Sequence, residues 1–215
     1  MRKFTFTNNE YYHIYNRGVD KRTVFEDTED LERFLLSLTD FNSPEAIGSI
    51  YGNSFKKELV SEGLLVNIIA YCLNPNHFHL ILEQTSDKGV EKFMQRLGTG
   101  YTMYFNNKYK RNGTLFQGRF KAKHINNNEY LIPLSVYVNL NNRIHQLGGS
   151  TSKLVDLVKN SWEEYTNSDF HETFCKKDII LDQFKNKADY KKFALDLLPS
   201  FIESKVEQKE LEYLT

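Results

Sequence analysis

Cysteine is scarce: Cys72 and Cys175 are the only two in 215 residues, far apart and in no CxxC pair. That excludes a disulfide framework and a structural zinc knuckle, and it fits a reducing compartment. No long hydrophobic run is present either. The segment from Met1 to Glu10 has no apolar centre, and the most apolar stretch, Leu64 to Ala70, is interrupted by Asn67 and too short to span a bilayer. Secretion and membrane insertion are not expected, and a cytoplasmic location is. Net charge is absent, with 28 Lys and Arg against 28 Asp and Glu, and no repeat or low-complexity tract interrupts the chain. What is there is aromatic and apolar: 16 Phe, 13 Tyr and 40% hydrophobic residues, enough for the packed core of an ordinary domain.

The zero net charge hides an uneven distribution. Before Thr151 there are 18 basic and 15 acidic residues, and from Thr151 on there are 10 and 13. Lys92 to His124 contains eight Lys and Arg and no acid, interleaved with Phe93, Tyr101, Tyr104, Phe105, Tyr109, Phe116 and Phe120. Cations among aromatics can neutralise phosphates and stack on unpaired bases, which makes nucleic acid the leading partner. A solvated helix face with its aromatics in the core is the plainer account of the same window.

The pattern predicts β-α-β-β-α-β-α. A strand over Glu10 to Asn16 stops at Arg17-Gly18, and Asp27-Thr28 caps a helix with Leu31, Phe34, Leu35 and Leu38 on one stripe. Asn42 to Gly63 reads as a long loop. Leu64 to Leu73 and His77 to Glu83 form a hairpin about Asn74-Pro75-Asn76, because proline fixes φ and asparagine tolerates turn geometry. A helix over Lys92 to Lys108, a fourth strand over Phe116 to Ile125 and a helix over Glu129 to Arg143 with Pro133 in its first turn complete the series. The expected fold is α+β, ferredoxin-like, with a four-stranded antiparallel sheet. Residues 1–149 form that unit. Residues 150–215 follow the Gly148-Gly149-Ser150 run as a helical extension, with short helices over Leu154 to Tyr165, Asp178 to Phe184 and Asp189 to Leu198.

Two features can carry chemistry. In His77-Phe78-His79 on a strand, side chains alternate, so both imidazoles leave one face while Phe78, Leu80 and Leu82 leave the other. Such a pair can hold one metal ion but needs a third ligand; half-exposed histidines on an open sheet face are the plainer account. Tyr137 and Asn141 lie four residues apart, one turn along the predicted helix, so a phenol and an amide share a face.

Asn74-Pro75-Asn76-His77-Phe78-His79-Leu80, Leu115-Phe116-Gln117-Gly118-Arg119-Phe120 and Tyr137-Val138-Asn139-Leu140-Asn141 resemble the motifs of single-tyrosine HUH transposases of insertion sequences. With Tyr12 to Gly18 and Val24 to Asp27, the resemblance runs from about Tyr11 to Asn142. The Phe-Gln-Gly-Arg-Phe element is most similar to the branch associated with repetitive extragenic palindromes, the REP-associated tyrosine transposases. In that branch a proline commonly follows the asparagine, whereas Asn142 stands here. Ser161 to Tyr165 also resembles a segment that follows the catalytic helix in such proteins.

The resemblance implies Tyr137 as nucleophile, His77, His79 and Asn141 as ligands of Mg²⁺ or Mn²⁺, and no nucleotide cofactor, in keeping with the absence of a Walker sequence. It implies cleavage and rejoining of single-stranded DNA near hairpin or palindromic elements through a 5′-phosphotyrosine, by a monomer or homodimer acting at the bacterial nucleoid. Arg17, Arg119, Lys121 and Lys123 are expected to contact phosphates, the last three by alternation on the predicted fourth strand. His13 and His124 are read as structural or DNA-contacting, not as ligands. Two other readings compete: a nucleic-acid-binding domain without catalysis, and a hydrolase in which a metal held by His77 and His79 activates water, with only Glu83 as a nearby carboxylate.

Overall fold

The computed structural model describes residues 5–45, 63–145, 157–170 and 174–213, with side chains as far as Lys205. Strand β1 (Tyr11–Arg17) enters a tight turn, Val19–Lys21, in which Asp20 and Lys21 take positive φ, and helix α1 (Thr28–Asp40) follows. Then come β2 (Val66–Asn74), β3 (His77–Gln84), α2 (Gly89–Lys108), β4 (Lys121–Ile125), α3 (Asn128–Asn139) and α4 (Asn141–Ile144). The C-terminal part adds β5 (Lys159–Asn160), α5 (Trp162–Thr166), α6 (Asp178–Leu181) and α7 (Lys187–Tyr213).

The strands form one antiparallel sheet in the order β4-β1-β3-β2-β5. The first four stand as a ferredoxin-like fold requires, and the α+β expectation holds. The sheet has five strands, not four, because Asn160 and Lys159 pair with Cys72 and Leu73. Alternation then divides the two faces. Phe78, Leu80, Leu82 and Ile14 are buried on the side of α1 and α2, where Phe34 meets Phe78 at 5.3 Å and Tyr101 at 4.9 Å. His13, His77 and His79 look the other way, toward α3.

Local chemistry explains the helix starts. Asp27 caps α1 by accepting from the Asp30 N–H at 3.0 Å, and Asn127 caps α3 by accepting from the Tyr130 N–H at 2.8 Å. Each cap satisfies an N–H that the helix itself leaves unpaired. Pro133 stands in the second turn of α3, one turn later than expected.

Four further expectations are corrected. The fourth strand begins at Lys121, because Phe116 makes only an isolated bridge to Gly18 and Gly118 has a φ of +82°, a loop conformation that a strand cannot contain. The helix of Glu129 to Arg143 breaks at Leu140, whose φ of −109° and ψ of 14° separate α3 from α4. Leu154 to Tyr165 is not one helix: its described part contains β5 and α5. The last helix begins near the expected place but continues through Pro199 to Tyr213.

The C-terminal part is not helical alone, and it shares the core. Trp162, Tyr165, Ile180, Tyr190 and Ala194 are buried in the same cluster as Tyr12 and Phe34. Tyr165 Oη donates to the Ile69 carbonyl at 2.7 Å, and Asn139 Nδ2 donates to Tyr190 Oη at 2.9 Å. The Gly148 to Ser152 run expected as a linker, and most of the Asn42 to Gly63 loop, lie outside the described residues. Among the described residues no helix is long and apolar enough to cross a membrane.

Candidate active site

The site is assembled on the α3 side of β1, β2 and β3. The turn Pro75-Asn76 places it, since the Pro75 carbonyl accepts from Val24 N at 2.7 Å and the Asn76 carbonyl from Gly18 N at 2.9 Å. A Cβ at Gly18 would collide with the Arg22 carbonyl, so only glycine lets the chain approach this closely. Antiparallel register sets Arg17 and Asn74 on either side of His77, and Tyr15 and Cys72 on either side of His79.

Burial lowers His77 from its ordinary value of 6.5 to about 4, so it is a neutral imidazole at pH 7. Its Nδ1 lies 2.6 Å from Asn76 Oδ1, and the network assigns the proton there, leaving a lone pair on Nε2. Asn74 Nδ2 lies 3.0 Å from that Nε2 and donates to Asn141 Oδ1 at 2.8 Å. His77 Nε2 and Asn141 Oδ1, both acceptors, face each other at 3.1 Å. Two cis ligands of an octahedral ion with bonds of about 2.1 Å stand about 3.0 Å apart, so this edge suits a divalent cation. Asn141 Nδ2 is buried without a partner, and such an orphan costs about 1–3 kcal/mol. The amide is thus held with its oxygen toward His77 against its own hydrogen-bonding preference.

His79 is the second imidazole, its ring centroid 5.3 Å from that of His77. Burial pushes its pKa well below 6.5, aided by the positive charges that His13, His77, His145 or Lys205 would present. Its Nδ1 is 2.9 Å from His13 Nε2, and the two rings stack at 5.1 Å and 20°. A donor set of His77, His79 and Asn141 is therefore two neutral imidazoles and one amide oxygen, suited to Mn²⁺ or Mg²⁺ more than to a soft metal. Among the described residues no three His, Cys, Asp or Glu side chains converge as a metal centre.

Tyr137, half-buried on α3, meets the edge of His79 at 5.6 Å, of His13 at 6.2 Å and of Phe201 at 5.7 Å. Burial raises its pKa above 10.0, and the neighbouring Asn141 amide pulls it part of the way back. Tyr137, His77, His79 and Asn141 are thus brought together within one chain.

The basic residues divide. Lys121 and Lys123 pair with Tyr15 and His13 on the site face; Lys121 lies 5.9 Å from the Tyr15 ring centre and Lys123 4.6 Å from that of Tyr130. Arg17 is half-buried with its Nε unpartnered, close enough to His77 to lower its pKa. Arg119 is exposed but precedes β4, so it does not alternate with the two lysines. Other cations of the Lys92 to His124 window serve the fold. Lys108 is held by Asp27, Glu29 and Asp30 at 2.8–3.0 Å, and Arg96 donates to the Glu45 carbonyl at 2.8 Å. Phe93, Tyr101, Phe105 and Phe116 are core residues, so the plainer account fits that part of the window. His124 pairs with Glu10 at 2.8 Å, away from the site.

Sequence reasoning missed Asn74, Phe201 and Lys205. Asn74 lies in a segment whose turn character masks its buried amide, and Phe201 and Lys205 belong to no motif.

Residues 51–141 match the family model described as transposase, IS200-like. The match contains His77, His79, Tyr137 and Asn141, and its family is the one that the motifs resemble. Among solved structures, a chain described as the REP-associated tyrosine transposase bound to a REP hairpin is similar at 13% identity. That alignment covers 68% of this chain and 74% of the other, with a TM-score of 0.49. A search of curated proteins gives no match.

Proposed function

We propose, for a chain whose residues 51–141 carry the IS200-like transposase pattern, that it cleaves and rejoins single-stranded DNA beside hairpin elements with Tyr137 as nucleophile. The observation that carries this reading is the convergence of Tyr137 with His77, His79 and Asn141 on one sheet face. A divalent Mg²⁺ or Mn²⁺ ion, when bound, would polarise a phosphate oxygen and offset charge on the leaving 3′-oxygen. His77 Nε2, His79 and Asn141 Oδ1 would hold it; the remaining work belongs to the chain's own groups.

Tyr137 Oη attacks phosphorus as its proton passes to water, the bond from phosphorus to the 3′-oxygen breaks, and that oxygen takes up a proton. The products are a 5′-phosphotyrosine and a free 3′-hydroxyl. Attack by another 3′-hydroxyl on the phosphotyrosine restores a phosphodiester and the phenol, so no nucleotide cofactor is needed. A phenol held above its ordinary pKa is a poor nucleophile, which makes in-line delivery of the phosphate decisive. Lys121, Lys123, Arg119 and Arg17 supply the positive track that presents a single, bendable strand.

The test is incubation of 5′- and 3′-labelled hairpin oligonucleotides with wild-type and Tyr137→Phe protein in Mg²⁺, Mn²⁺ or EDTA, followed by denaturing gels. A metal-dependent adduct that retains the 3′ label and disappears with Tyr137→Phe is expected. Binding of varied hairpins without any adduct would instead mark a non-catalytic binding protein, and free ends without an adduct would mark a hydrolase.

A further inference from the structure

Buried imidazoles need partners, because an unsatisfied polar group in the interior costs more than an apolar side chain of the same shape. His13 is 7% exposed, stacked on His79 and flanked by Tyr15 and Tyr137. Phenylalanine would fill that space without needing a hydrogen bond. The imidazole instead places Nε2 at 2.9 Å from His79 Nδ1, a distance that requires one proton between the two nitrogens. If the proton sat on His13, His79 Nδ1 would accept it and His79 Nε2 would carry its own hydrogen into the pocket shared with His77 and Tyr137. If it sits on His79 Nδ1, His79 Nε2 presents a lone pair there. The neighbouring ligand has the same arrangement: His77 Nδ1 is engaged by Asn76 Oδ1 and Nε2 is turned toward Asn141.

We propose that His13 is a positioning residue that accepts the His79 Nδ1 proton, fixing both the tautomer and the ring plane so that His79 Nε2 is offered as a ligand. The inference rests on the metal-dependent reading above. The two histidines sit on adjacent strands, with Tyr15 directly opposite His79 and His13 opposite Ile81, so the sheet register carries the alignment. His13 is then neither a ligand nor a contact for DNA. It belongs to the layer that orients ligands, where loss of a partner commonly lowers metal affinity by about 10- to 100-fold.

Two variants separate positioning from packing. His13→Phe keeps a ring and removes the acceptor; His13→Gln offers a side-chain oxygen. Mn²⁺ affinity of the full chain is read by calorimetry, the tautomer of His79 by long-range ¹H–¹⁵N correlation without metal, and the thermal midpoint as a control. Expected are a wild-type His79 protonated at Nδ1, a 10- to 100-fold loss of Mn²⁺ affinity with a mixed His79 tautomer in His13→Phe, and recovery of most of both in His13→Gln. A wild-type His79 protonated at Nε2 overturns the inference, as does unchanged Mn²⁺ affinity in His13→Phe, and either leaves the transposase reading standing. A wild-type chain that binds no Mn²⁺ overturns both.

Discussion

Replacing Asn74 by leucine, its near-isostere, tests whether the pocket is built around a cation. Asn74 Nδ2 stands within 3.0 Å of His77 Nε2 and 2.8 Å of Asn141 Oδ1, and the residue has no exposed surface. Asn74→Leu removes both contacts, each worth about 1 kcal/mol net, and leaves two buried acceptors facing one another at 3.1 Å. Unsatisfied buried acceptors cost about 1–3 kcal/mol, partly offset by the added apolar surface. We expect a loss of about 3 kcal/mol in EDTA, which for a chain of this size lowers Tm by about 6–12 °C. Saturating Mn²⁺ would engage the two lone pairs and stabilise the folded form through its binding free energy. The deficit of the variant should therefore shrink to about 1 kcal/mol. Urea denaturation of both proteins with EDTA and with Mn²⁺ measures the four values. A deficit of the same size in both conditions would refute the argument that the two acceptors look at a cation.

Acid should unfold the protein through its histidines. The unfolded imidazole titrates near 6.5 and His77 and His13 near 4 in the fold, so their stability is intact above about pH 6.5, declines as pH falls and levels off near pH 4. At pH 5 each contributes a loss of about 2 kcal/mol, which urea midpoints at pH 7 and pH 5 would detect. Tyr190→Phe removes the acceptor for Asn139 Nδ2 and should cost about 1–3 kcal/mol, as read by urea denaturation. Lys121→Ala and Lys123→Ala should each reduce the salt slope of single-strand binding by about one, as read by filter binding; an unchanged slope would remove them from the track.

Where residue chemistry and local period agree, the sequence was readable. Both histidines lie on one face because β3 alternates, the Asp27 cap begins α1 at Thr28, and Tyr137 and Asn141 meet. Departures arose where tertiary pairing decides. Two residues of β5 carry no period, so only Cys72 and Leu73 of β2 make them a strand. Phe116 to Phe120 has the aromatic content of a strand, but Gly118 turns the chain left-handed. The helix break at Leu140 has no Gly or Pro to announce it, although it separates Tyr137 from Asn141. Phe201 and Lys205 reach the site only because α7 is anchored at Tyr190, some ten residues earlier, by the hydrogen bonds to Ser135 and Asn139.

The order of the sheet also bears on how the chain avoids its own kind. β5 covers part of the outer side of β2, whereas β4 is the outermost strand at the other end, and among the described residues no strand pairs with its outer edge. An open strand edge invites addition of a second chain, and lysines on it are a common guard against such pairing. On the proposed reading Lys121 and Lys123, exposed on β4, would therefore have two tasks, attracting phosphate and repelling another β4. Their removal lifts the guard as well as the track, so light scattering of the alanine variants would show self-association that a binding curve alone would record as lost affinity for DNA.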